Sequence, residues 1–108
     1  MITRILFWIF TLLGVSLEIT GDVFFKKWAI ESRAALLWSG FIIYAFGALF
    51  WALSLRYEML SKAISVFTIL NLIIVALIGV ILFKENISTL SKIGILLGLI
   101  GIALIELG

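Results

Sequence analysis

Four apolar runs, at residues 5–25, 34–55, 63–83 and 93–107, leave this chain almost nothing else to fold with. Their lengths are 21, 22, 21 and 15 residues. A helix of about 20 apolar residues crosses a hydrocarbon core of ~30 Å. The fourth run reaches that length, about 20 residues, if it begins near Ser88, because Ser and Thr are tolerated in a span. The connections, residues 26–33, 56–62 and 84–92, are too short to hold a water-soluble domain. The expectation is an all-α membrane protein, one domain over residues 1–108. Its four transmembrane helices fall at about 5–26, 34–55, 63–83 and 88–107.

Composition points the same way. Hydrophobic residues make up 65% of the chain and charged residues 13%, where soluble domains carry about 25% charge. One small domain cannot hide that much apolar surface from water, so lipid is the solvent. The first run has a single positive residue before it, as a signal peptide does. It is too long for one, carries an acid and lacks a small-residue cleavage site, so it is expected to stay as a span.

Several chemistries drop out. Without cysteine there is no disulfide framework or thiol chemistry, and without histidine the usual metal ligand and neutral-pH base are missing. Proline is absent too, so any kink must come from glycine or unwinding. The pI is about 9.2, but a net charge of +2 spread over short loops is no nucleic-acid patch. No enzyme activity, cofactor or metal site is expected.

The residue that points to function is Glu18, three positions past the middle of the first run. A charge at that depth costs about 2.5–3.5 kcal/mol on insertion scales. Intramembrane acids mark ion or substrate pathways more often than packing. At 100° per residue its face of the helix also carries Phe7, Thr11, Gly14, Val15, Gly21, Asp22 and Phe25. Gly14 and Gly21 make room on either side of the acid, for a neighbouring backbone or for a ligand. Phe7 and Phe25 could wall that space. Asp22 stacks one turn from Glu18, and Lys26, a further turn on, is expected to neutralise it. Glu18 is then left deeper and alone, to be neutralised by a proton or by a cation. The structural alternative is a protonated Glu18 hydrogen-bonded to a hydroxyl on another helix.

In the second run Tyr44 and Trp51 share a face with Phe41, Gly47 and Ala48. That face could stack on an organic cation, with the Tyr44 hydroxyl bonded to Glu18, or simply pack. Trp38, Phe46 and Phe50 are read as packing, lipid-facing or interfacial aromatics. The third run carries Ser65, Thr68 and Asn71, with Phe67 beside Asn71 on one face. Asn71 serves either as interhelical glue or as a substrate contact. The fourth carries Gly94, Gly98 and Gly101, a small-xxx-small pattern that marks a dimer seam.

Positive charge is nearly balanced. One side of the membrane would carry Arg4, Arg56 and Lys62, and the other Lys26, Lys27, Arg33, Lys84 and Lys92. The excess favours cytoplasmic loops after the first and third spans. So small a bias suits either a fixed topology or insertion both ways round.

Taken together, these residues resemble the small multidrug resistance transporters of the drug/metabolite transporter superfamily. The first helix reads L-E-I-T-G-D-V-F-F-K, with Gly three and Lys eight after the acid. Tyr44 falls where that family has a Tyr, and G-V-I-L-F-K-E-N-I-S before Gly94, Gly98 and Gly101 is similar to the superfamily's C-terminal signature. The resemblance covers essentially the whole chain. It implies an antiparallel homodimer in a bacterial inner membrane. Two copies of Glu18, with Tyr44, would line one pocket and exchange protons for a small cationic or amphiphilic solute. The third helix departs from the pattern. The family's Pro, Tyr, Trp and glycines are gone, with Ile64 at the Tyr position and Phe67 at the Trp position. Leu70 and Asn71 look more like lipid-flippase relatives, so the solute stays open among polyamines, lipid headgroups and other amphiphiles.

Three functions therefore compete: a proton-coupled exporter acting through Glu18, Tyr44, Trp51, Phe67, Asn71, Gly14, Gly21 and Asp22; a lipid or amphiphile flippase; and a non-transporting subunit that pairs with a paralogue.

Overall fold

The computed structural model describes the backbone of residues 1–108 and every side chain except that of Glu106. There are four helices: α1 (Ile2–Glu31), α2 (Ala34–Ser54), α3 (Leu60–Ile81) and α4 (Thr89–Leu107). The first three are long and apolar enough to cross a membrane. The apolar part of α4, Thr89–Ile105, is shorter.

The chain forms two compact units, Met1–Met59 and Leu60–Gly108. The first is a hairpin of α1 and α2. Here the helix runs further than the apolar pattern does. The connection expected at residues 26–33 shrinks to Ser32 and Arg33, because nothing from Lys26 to Glu31 breaks a helix. It stops where Ser32 turns left-handed (φ 58°) and donates its amide to the Trp28 carbonyl at 2.7 Å. Arg33 is extended, and α2 begins at once in the opposite direction.

Glycine sets how closely that hairpin packs. Gly14 and Gly21 on α1 are seven apart, as are Gly40 and Gly47 on α2. Gly14 faces Gly47, and Gly21 faces Gly40. A Cβ built on Gly14 would stand 3.2 Å from the Gly47 carbonyl oxygen, and one on Gly21 3.1 Å from that of Gly40. Small residues at matched intervals let two backbones approach this closely, which is where helix association in lipid gains its dispersion energy. Aromatic rings fill both ends of the hairpin. Phe10 stacks on Phe50 and Tyr57, with centroids 6.2 and 6.0 Å apart. Phe25 meets Phe41 edge-on at 5.3 Å.

In the second unit, α3 ends as Lys84 takes a left-handed conformation (φ 52°) and Glu85 donates its amide to the Gly79 carbonyl at 3.0 Å. The start of α4 is where the sequence placed it. Ser88 is the N-cap, and its hydroxyl accepts the Ser91 amide at 3.1 Å.

Candidate functional site

Glu18 lies on the buried stripe of α1 with Phe7, Thr11, Gly14, Val15, Ile19 and Gly21. Only 7% of it is exposed. The face drawn from helical periodicity is therefore the face that packs, with Asp22 and Phe25 half-buried at its end.

Gly47 positions the acid. A Cβ at Gly47 would fall 2.7 Å from Glu18 Cγ and 2.9 Å from the Glu18 backbone nitrogen. No side chain fits there without moving α1, so the stem of the carboxylate rests on bare backbone. Gly40 makes the same kind of room for Phe25. A Cβ there would meet the Phe25 ring at 2.8 Å.

Tyr44 and Trp51 both face α1, in different ways. Tyr44 lays its ring across Gly21, 3.2 Å from where a Cβ would stand, and tilts against Phe25 at 6.0 Å. The expected hydrogen bond from its hydroxyl to Glu18 is not formed among the described residues. Packing over Gly21, one turn away, holds the ring instead. Trp51 meets Gly14 through its backbone, with its nitrogen 3.1 Å from a Cβ placed there.

No hydroxyl is hydrogen-bonded to Glu18 among the described residues. Thr20 donates to the Ser16 carbonyl at 2.7 Å, and Ser54 to that of Trp51 at 2.6 Å. Each bonds its own helix, as Ser and Thr commonly do in apolar surroundings. Thr11 is fully buried, and its hydroxyl has no partner among the described residues. Asp22 adds a second carboxylate one turn from Glu18, close enough for the two to repel when both are charged.

The remaining expected residues belong to the second unit. Phe67 and Asn71 line an open groove of about 300 Å³ with Thr68 and Leu72. Gly94, Gly98 and Gly101 are exposed on α4, and no described atom lies within 4 Å of where their Cβ atoms would be. That face is free to meet something else.

No protein-family model matches this chain, and neither does any curated protein.

Sequence reasoning missed Gly40 as a packing residue and placed Gly47 beside Tyr44 without setting it against Glu18. The signal was present: both helices carry glycines at the same seven-residue interval. It also missed Glu58, which pairs with Arg4 across 54 residues of sequence.

Proposed function

We propose that this protein is a proton-coupled exporter of small cationic or amphiphilic solutes, of the small multidrug resistance type. It works as an antiparallel homodimer in a bacterial inner membrane, with all four helices of each chain spanning. It moves solute without covalent change and without a cofactor. One observation carries the reading: a glutamate only 7% exposed in an apolar hairpin, seated on Gly47, with no hydrogen bond or ion pair among the described residues. Such a group must be neutralised by a proton or a cation, and it cannot hold both. That exclusivity couples proton and solute once the site opens to each side in turn. Among the described residues no hydroxyl of another helix is hydrogen-bonded to Glu18, which speaks against a structural role.

The test is proton release on adding a panel of guanidinium, quaternary ammonium and diamine cations to the purified protein, followed by flux in liposomes. Wild type releases protons and carries at least one of them. Glu18→Gln does neither. An amide variant that keeps both flux and its dependence on pH defeats the reading.

The groove of Phe67, Thr68, Asn71 and Leu72 favours a second reading, lipid or amphiphile flipping. It sets a primary amide and the Thr68 hydroxyl beside an aromatic ring, chemistry suited to a headgroup with a tail. Labelled lipid would then cross between leaflets without proton release. If both assays stay silent until a different partner chain is added, the protein is a subunit and not a transporter.

A further inference from the structure

Glu58 closes one end of the α1–α2 hairpin. One of its oxygens, Oε2, accepts from Arg4 Nη1 in the first turns of α1. The other, Oε1, accepts the Met59 backbone amide at 2.9 Å, immediately before α3 begins at Leu60. A single carboxylate thus ties the start of α1 to the residue from which α3 departs. An aromatic clasp lies beside it. Phe10 of α1 stacks on Phe50 of α2 at 6.2 Å and 20°, and on Tyr57 of the connection at 6.0 Å and 11°. The connection is held to α1 in two ways, and both hold it at the same end.

We propose that Arg4 and Glu58 form a latch on the connection between α2 and α3, and that its opening is a step of the transport cycle. The side chains of Arg4 and Glu58 are 56% and 16% exposed. Arg4 is the end that water reaches, so the latch opens by the guanidinium leaving while Glu58 stays largely covered. The stacked rings keep the connection close to α1 while the latch is open, so closure needs no long search. The Met59 amide, held by Glu58, lies on the segment that loosens when the latch opens. The transport role in this inference rests on the exporter reading; the latch itself does not.

Hydrogen exchange on the reconstituted protein tests the latch directly. Arg4→Gln and Glu58→Gln should each raise exchange of amides 56–60 about tenfold and leave amides 14–21 unchanged. Arg4→Lys, which keeps the charge, should stay within about twofold of wild type. Unchanged exchange in both glutamine variants overturns the latch. Flux tests its role: in Arg4→Gln the maximal rate should shift threefold or more while cation affinity at Glu18 stays the same. An unaltered rate alongside faster exchange overturns the role in the cycle. If wild type itself shows no flux dependent on Glu18, the exporter reading falls, and the exchange result still decides the latch.

Discussion

Gly47 carries no side chain because Glu18 occupies the space: a methyl group on Gly47 would stand 2.7 Å from Glu18 Cγ. The position of the acid is thus set by an atom that is missing from the opposite helix. A change at either residue disturbs both helices.

Gly47→Ala should damage both packing and transport. The added methyl meets the Glu18 backbone nitrogen at 2.9 Å as well as Cγ, and backbone cannot swing aside. Overpacking of this kind costs about 1–3 kcal/mol. A lower melting temperature in detergent, with flux down at least tenfold, is the expected pair of results.

Gly79→Ala is the contrast. The atom nearest a new methyl there is Glu85 Oε1, the far end of a flexible side chain. It can rotate away, and alanine favours a helix over glycine by about 0.8–1.0 kcal/mol. Thermal unfolding should show unchanged or slightly raised stability.

Glu18→Gln should leave the fold intact, because the amide has nearly the volume of the acid and removes a charge that lipid disfavours. Cation binding should vanish. In wild type, acidification at a fixed cation concentration should weaken binding, since a proton takes the carboxylate; raising the pH should strengthen it until the acid is fully ionised. Isothermal titration calorimetry across a pH series reads both trends, and the amide variant should show neither.

Phe10→Ala removes two stacked pairs at once. Each aromatic pair is worth about 0.5–1.5 kcal/mol beyond area, so stacking accounts for about 1–3 kcal/mol of the loss, with the lost packing volume in addition. Phe10→Leu should recover the packing volume but not the stacking. Thermal melts of the two variants separate these contributions.

Gly98→Leu meets no described atom within 4 Å of the new Cβ, so the helices of the chain should still form. If α4 is the seam between two copies, the dimer should be lost. Circular dichroism should stay unchanged while cross-linking in liposomes yields only monomer.

Much of this was legible in the sequence because lipid imposes one simple demand, a long apolar helix that satisfies its own backbone. Run lengths alone located four helices, and the length a span needs moved the start of α4 back to Ser88, which is its N-cap. The end of α1 was not legible. Residues from Lys26 to Glu31 are polar enough to resemble a loop but contain nothing that stops a helix, and only the left-handed Ser32 does so. The buried face of α1 emerged from periodicity, because 3.6 residues per turn is a local property. The residues lying across from it did not emerge. Pairing Gly14 with Gly47, or Arg4 with Glu58, needs the register between two helices, and a single chain read residue by residue does not supply that.

Glu18 divides α1 unequally between its basic residues. At 1.5 Å per residue, Glu18 stands about 12 Å from Lys26 but about 21 Å from Arg4 along the axis. Basic side chains favour the wet borders of a bilayer, so in a spanning α1 the acid would stand off centre. On the exporter reading, two copies set antiparallel would hold their acids off centre in opposite directions, one nearer each face.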